Sequence, residues 1–165
     1  MISEPETVAP ESEFEAAVAD ACKGILASAG LRYGLLPRFG LDIALLIEHP
    51  SGARWRFLEA KAFFGQRMGG VPVGNDKGGG RQLDMLLLPD SELTLADGSV
   101  RWVLADALRA PGEPRYAMFS STRAKAAIMA GARRNKNNNL RISAFAGEFI
   151  TWRCLIGEIE KFLTL

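Results

Sequence analysis

The chain has only two cysteines and one histidine among its 165 residues, which removes several classes of site from consideration. Cys22 and Cys154 have no metal-ligating residues beside them in the sequence, so both are expected to be buried thiols in a reducing compartment. With His49 alone, neither a histidine-based zinc site nor a Ser-His-Asp triad is expected. No run is apolar enough to span a membrane, and neither a P-loop nor Gly-x-Gly-x-x-Gly occurs.

The chain has little net charge, since its 20 Lys and Arg residues nearly balance its 19 Asp and Glu residues and leave a formal net charge of +1. Residues 1–20 hold six acidic residues and no Lys or Arg, unlike a secretory signal, so the cytoplasm is the expected location. Residues 115–147 hold seven basic residues and no acidic one. This asymmetry would present a basic face to a polyanion, or it belongs to a solvated loop and helix balanced by the acidic start.

The apolar patterns predict an α/β fold: one domain with a mixed central sheet flanked by helices on both faces. Residues 1–11 are polar and contain proline, which predicts a flexible arm before a domain over 12–165. Helical spacing covers 12–28, with Ser12 as N-cap and Glu15 completing a capping box. Strands are predicted at 31–36, 41–48, 54–62, 100–105 and 116–119, with a last one at 141–145 or 148–152. Further helices are predicted at 81–88, from Ser120 or Ser121 to 130, and at 155–163.

Two strand-like runs joined by a turn carry three charged residues. Asp42 lies in LDIALLIE, while Glu59 and Lys61 close RWRFLEAK, and HPSG supplies the turn between them. Because side chains alternate along a strand, Glu59 and Lys61 share a face. If Asp42 opposes either of them in an antiparallel hairpin, all three converge, whereas opposite Ala60 it would point away.

Such a convergence would suit a hard divalent cation and a phosphodiester. Mg²⁺ takes oxygen ligands, which the carboxylates of Asp42 and Glu59 and the Ala60 carbonyl would supply, and Mn²⁺ is the alternative. The metal would polarise the scissile phosphate and acidify a bound water. Lys61 would orient the attacking water or offset charge on the phosphorus. The competing interpretation is a solvated ion-pair face with Asp42 as a turn residue, but carboxylates in apolar runs are costly unless paired or metal-bound.

The stretch 13–61 resembles the catalytic core of the PD-(D/E)xK nuclease superfamily, nearest to its Mrr-like group. That group has a Phe-Glu pair on a helix, Gly-x-Asp on one strand and (Glu/Gln)-x-Lys on the next. Here they read Phe14-Glu15, Gly40-Leu41-Asp42 and Glu59-Ala60-Lys61, in the same order. Leu41 stands where the superfamily's name motif has proline.

The resemblance implies a restriction-endonuclease-like fold and assigns roles to these residues. Asp42 and Glu59 would be metal ligands, Lys61 the catalytic lysine and Glu15 the helix carboxylate that joins them, although Glu11 or Glu13 could take its place. Glu15 in a capping box is the structural alternative.

Basic and polar residues outside the motif are candidates for contacts to a nucleic-acid backbone. Seven glycines fall within residues 64–80, where close approach to phosphate would be easy. A loop without function and simple turns in the Asn-rich stretch are the alternatives. The candidates are Arg67, Lys77, Arg81, Gln82, Arg123, Lys125, Arg133, Arg134 and Lys136.

The sequence therefore predicts a Mg²⁺-dependent deoxyribonuclease, more simply an endonuclease because nothing marks an end-binding pocket. It would act in restriction, recombination or repair, and a homodimer would be needed to cut both strands. The first alternative is a non-catalytic nucleic-acid-binding or assembly subunit, delivered by a partner, that keeps the nuclease fold. The second is an α/β protein in which the three charged residues are structural.

Overall fold

A five-stranded sheet forms the centre of the computed structural model, which describes residues 2–36, 42–65, 70–72, 97–131 and 139–165. Its strands are β1 (Arg32–Leu35), β2 (Ile43–His49), β3 (Gly52–Phe63), β5 (Val100–Asp106) and β6 (Tyr116–Phe119), and a smaller sheet pairs β4 (Gly70–Pro72) with β7 (Asn139–Arg141). The helices of the described residues are α1 (Glu11–Ser28), α2 (Ser121–Gly131) and α3 (Trp152–Thr164). The predicted α/β class is confirmed.

The large sheet is mixed, as the sequence predicts. Its spatial order is β1-β2-β3-β5-β6, with β3 and β5 parallel and the other neighbours antiparallel. Parallel neighbours need a crossover connection rather than a tight turn. The helix predicted at 81–88 falls in this connection, outside the described residues.

Helices cover both faces of the sheet, because the apolar residues of the strands alternate between two cores. One core joins α1 and α3 to the sheet through side chains such as Phe14, Leu58 and Leu155. The other joins α2 and the small sheet through Phe57 and Leu140. Both faces of β3 are therefore buried over its second half, which makes a charged residue there costly unless it is paired.

The hairpin of β2 and β3 is anchored to the end of α3. His49 Nε2 lies 2.9 Å from the Leu163 carbonyl oxygen, and Arg56 Nε donates to the Phe162 carbonyl at 3.0 Å. Arg54 donates to the Leu165 carbonyl at 2.6 Å. Helix C-termini leave carbonyl oxygens without helical partners and favour cations. The hairpin that carries Glu59 and Lys61 is thus fixed at its turn end.

Residues 2–10 lie against the domain, where the sequence predicts a loose arm. Val8 is buried in the first core. The Glu4 carboxylate accepts from Arg115 Nε at 3.1 Å and from the Tyr116 hydroxyl at 2.9 Å, and Arg115 is itself buried. A buried guanidinium needs such a partner, which the composition of the segment does not reveal. The segment leads directly into α1 and holds its first turn in place.

Two smaller predictions differ from the structure. The last strand is Asn139–Arg141, followed by a 3₁₀ turn at Ile142–Phe145 rather than by a strand. Cys22 is buried as predicted, but Cys154 is exposed on α3. No helix in the described parts of the chain is long and apolar enough to cross a membrane.

Candidate functional site

The register of the hairpin decides whether Asp42 and Glu59 meet. Ile43 pairs with Leu58 at the start of β2, so the same register places Asp42 opposite Glu59. Two hydrogen bonds agree with this: Asp42 N donates to Glu59 Oε2 at 3.2 Å, and Ala60 N donates to Asp42 Oδ2 at 2.7 Å. The geometric condition set by the sequence argument is therefore met.

Lys61 completes the group from the same face of β3. Its Nζ lies 3.2 Å from Glu59 Oε1, while the Glu59 side chain is fully buried and that of Lys61 is 7% exposed. A buried lysine and a buried carboxylate exist together because each offsets part of the other's desolvation cost. Asp42, by contrast, is exposed to solvent. The site thus opens at Asp42 and is closed at Glu59.

The first two turns of α1 add two more carboxylates. Glu11 Oε1 lies 3.7 Å from Lys61 Nζ, and Glu11 Oε2 accepts from Ala62 N at 3.2 Å. Glu15 follows one helical turn later, and Asp42 is among the groups that raise its pKa. Glu13 lies between them in sequence and is exposed.

The predicted capping box is wrong, which bears on Glu15. The helix begins at Glu11, with Pro10 at the N-cap and no side-chain hydrogen bond capping the helix. Ser12 is thus already inside the first turn, and Glu15 is the fifth residue of the helix, two residues beyond the position from which a side chain returns to the cap. Its carboxyl group faces Asp42 instead.

Burial and like charge raise the pKa values of three of these carboxyl groups. Desolvation and then the charge of Asp42 raise the pKa of Glu59 from 4.5 to about 8, although Lys61 opposes the shift. Desolvation, the hydrogen bond with Asp42 and the charges of Asp42 and Glu11 raise the pKa of Glu15 from 4.5 to about 7. Desolvation also raises the pKa of Glu11. Without a cation, the folded protein therefore holds protons in this site near neutral pH.

We expect this to make the metal-free protein less stable as pH rises from about 4.5 to about 8. In that window the unfolded chain has released the protons that Glu59 and Glu15 keep when folded, so the free energy of unfolding falls as pH rises. Thermal melts at several pH values measure the effect. Glu59→Gln should flatten the slope, and an unchanged slope in that variant would contradict the assignment.

A structural explanation for the carboxylates is also visible. β2 begins at Ile43, opposite Leu58, whereas β3 continues to Phe63, so within the described residues β2 does not pair with β3 beyond Leu58. In that part of β3, the Ala60 and Ala62 amides donate to Asp42 and Glu11 instead. The acids therefore accept hydrogen bonds from main-chain amides beyond the paired part of the two strands. This role needs two carboxylates, and it does not account for Glu59 or Lys61.

The donor set matches a hard cation in chemistry but is not arranged as a complete cage. In a strand the N–H and C=O of one residue point to the same edge, so the Ala60 carbonyl lies on the Asp42 side along with its amide. Carboxylate and carbonyl oxygens from Asp42, Glu59 and Ala60 are ligands that Mg²⁺ accepts while it keeps several waters. Within the described residues, no group of three or more Asp, Glu, His or Cys side chains has the arrangement of a metal site.

The predicted nucleic-acid contacts are brought together only in part. Arg123 and Lys125 lie on α2, and Arg123 is used inside the domain: it donates to Glu148 and to the Ala144 carbonyl, each at 2.7 Å, and stacks over the Phe145 ring. The guanidinium of Arg123 thus already has partners within the domain, and its contact with phosphate stays a prediction. The remaining candidates lie outside the described residues: Arg67, Lys77, Arg81, Gln82, Arg133, Arg134 and Lys136.

The contact of Glu11 with Lys61 is the feature of the site that the sequence indicates least directly. In the sequence Glu11 is only an alternative to Glu15 for the helix carboxylate, yet both residues lie at the site. Their spacing of four residues is a usable signal, since residues at i and i+4 share one face of a helix.

Comparisons of the chain with models of known protein families, with curated proteins and with solved structures find no match.

Proposed function

We propose that this chain is a divalent-metal-dependent deoxyribonuclease that cuts within DNA strands. The observation that carries the proposal is the contact of buried Glu59 with Lys61 at 3.2 Å, directly across the hairpin from Asp42. A fully buried carboxylate beside a second one is costly for a structural protein, and a divalent cation would remove that cost. A restriction-endonuclease-like fold and a cytoplasmic location are part of the proposal.

Each residue has a role that follows from its surroundings. Asp42, Glu59 and the Ala60 carbonyl would hold the cation. When bound, Mg²⁺ or Mn²⁺ supplies charge stabilisation for the scissile phosphate and acidifies water. Lys61 is held beside Glu59, a proposed ligand of the cation. There it would orient the attacking water or offset the negative charge that develops on the phosphate. Glu15 would accept a proton or a water at the open, solvent-facing side next to Asp42.

The family resemblance supports the same roles. The Phe-Glu pair lies on α1, Asp42 directly precedes β2, and Glu59 and Lys61 lie on β3. The order and the choice of elements are those that the PD-(D/E)xK pattern requires. DNA is proposed as the substrate from this resemblance and from the basic residues of the acid-free stretch 115–147 other than Arg115 and Arg123, which have partners within the domain.

A second candidate function is a non-catalytic DNA-binding or assembly subunit with the same fold. The hydrogen bonds of Asp42 and Glu11 to the Ala60 and Ala62 amides favour it, because they give these carboxylates a structural use. In such a subunit, binding would persist without hydrolysis and a partner chain would supply the activity.

One assay separates the two functions. The protein is incubated with supercoiled, linear and branched DNA in the presence of Mg²⁺, Mn²⁺ or EDTA, with RNA as a parallel substrate. Nicking of supercoiled DNA that needs metal and disappears in EDTA is the expected result. DNA binding without nicking under any metal condition would support the second function and contradict the first.

A further inference from the structure

Lys61 is held between two carboxylates that come from different elements. Glu59 Oε1 lies 3.2 Å from its Nζ, and Glu11 Oε1 lies 3.7 Å away on the other element, the first turn of α1. The sequence pattern of the resemblance pairs Lys61 with Glu59 and Asp42, and it names Glu11 only as an alternative to Glu15 for the helix carboxylate.

The Glu11 carboxylate is itself fixed by the strand that carries Lys61. Its second oxygen accepts from Ala62 N, the residue that follows Lys61, at 3.2 Å. One carboxylate therefore binds both the main chain and the side-chain ammonium of neighbouring residues. A lysine side chain is a flexible four-carbon stem with a rotatable ammonium, so a single partner at Glu59 would leave its direction less defined.

We propose that Glu11 is a positioning residue, which holds the Lys61 ammonium in the place where it acts during phosphodiester cleavage. The inference rests on the proposed nuclease function and gives Glu11 a role that the resemblance does not assign, which is to hold Lys61. Because Glu11 belongs to α1, the assembly of the helix onto β3 completes the site. Glu11 touches neither substrate nor metal in this account, and it acts through Lys61.

The structural alternative is that Glu11 only satisfies the Ala62 amide and favours the positive end of the α1 dipole. Glu11→Gln separates the two roles, because the Gln carbonyl oxygen still accepts from Ala62 N while the charge facing Lys61 is lost. Glu13→Gln is the matched control, because it removes the same charge from the same helix turn at a residue that is exposed.

The experiment compares nicking rates of wild type, Glu11→Gln and Glu13→Gln across a range of Mg²⁺ concentrations, together with their melting temperatures. For Glu11→Gln we expect a rate at saturating Mg²⁺ about tenfold lower, with the half-saturating Mg²⁺ concentration unchanged. The control should match wild type in all three measurements. A wild-type rate in Glu11→Gln, or a loss explained entirely by weaker Mg²⁺ binding or by unfolding, would overturn the proposal.

A readout that does not need activity distinguishes failure of this inference from failure of the nuclease function. Reductive methylation, followed by mass spectrometry of the peptide containing Lys61, measures how freely the amine reacts. Faster methylation of Lys61 in Glu11→Gln but not in Glu13→Gln supports positioning, even if wild type nicks no DNA and the proposed function falls. Equal methylation in all three proteins overturns positioning, even if wild type is an active nuclease.

Discussion

Replacing Asp42 with asparagine is expected to abolish metal-dependent nicking while making the metal-free protein more stable. The Asn carbonyl oxygen can still accept from Ala60 N, so the edge of β3 keeps its partner. The negative charge beside Glu59 and Glu15 disappears, and with it part of the cause of their raised pKa values. We expect a gain of about 1 kcal/mol at pH 8, or about 3 °C in melting temperature.

The opposite signs of these two effects are what make the variant informative. A residue that serves only the fold should lower stability when it is changed, and a residue that serves only a reaction need not alter stability at all. Asp20→Asn is a suitable control, because Asp20 is an exposed acid on α1 that lies 4.0 Å from Lys23, away from the site. An Asp42→Asn protein that nicks DNA at the wild-type rate, or that melts earlier at pH 8 without metal, would contradict the account.

Replacing Lys61 with methionine is expected to have the largest effect on stability and to end nicking. Methionine keeps the apolar stem but leaves the fully buried Glu59 carboxylate without its ammonium partner. Breaking a buried pair by removing one member costs about 3 kcal/mol, which corresponds to about 9 °C for a chain of this size.

The loss should depend on pH in a defined direction. Below about pH 8 the folded wild type keeps Glu59 protonated, so the two proteins should differ least there. As pH rises above 8, Glu59 ionises beside Lys61 in the wild type but less readily in the variant, which lacks the ammonium that lowers its pKa, so the difference in stability should grow. Melting curves at pH 9, 7 and 5 measure this, with Lys23→Met as the control for loss of an exposed lysine. Equal melting temperatures of Lys61→Met and wild type at pH 9 would show that the pair is not coupled.

Local patterns were sufficient to predict the site's strands and its helix, but not the residue at which the helix begins. The period-two pattern of β3 and the turn before it fix Glu59 and Lys61 on one face, and a hairpin without a bulge brings Asp42 opposite Glu59. That argument uses only neighbouring strands. Which carboxylates α1 presents to the site depends on the residue at which the helix begins. Pro10 and the buried Val8 set this start through tertiary packing, and a capping pattern at Ser12 does not reveal it.

The basic residues illustrate a different limit. Counting charge from 115 to 147 treats all seven cations as available to a polyanion, but Arg115 is buried against Glu4 and Arg123 binds Glu148. Guanidinium groups stabilise the folded chain as readily as they bind phosphate, since both partners are oxygen anions or carbonyls. Sequence alone does not distinguish the two uses when the acidic partner lies 25 or 111 residues away.

Binding of Mn²⁺ at pH 8, followed by the electron paramagnetic resonance of the free ion, tests most directly whether Asp42 and Glu59 share a divalent cation. Wild type should take up Mn²⁺ at a saturable site from which Mg²⁺ displaces it, and the variants Asp42→Asn and Glu59→Gln should bind at least about tenfold more weakly. Wild type that takes up no Mn²⁺, or variants that bind it as tightly as wild type, would contradict the account.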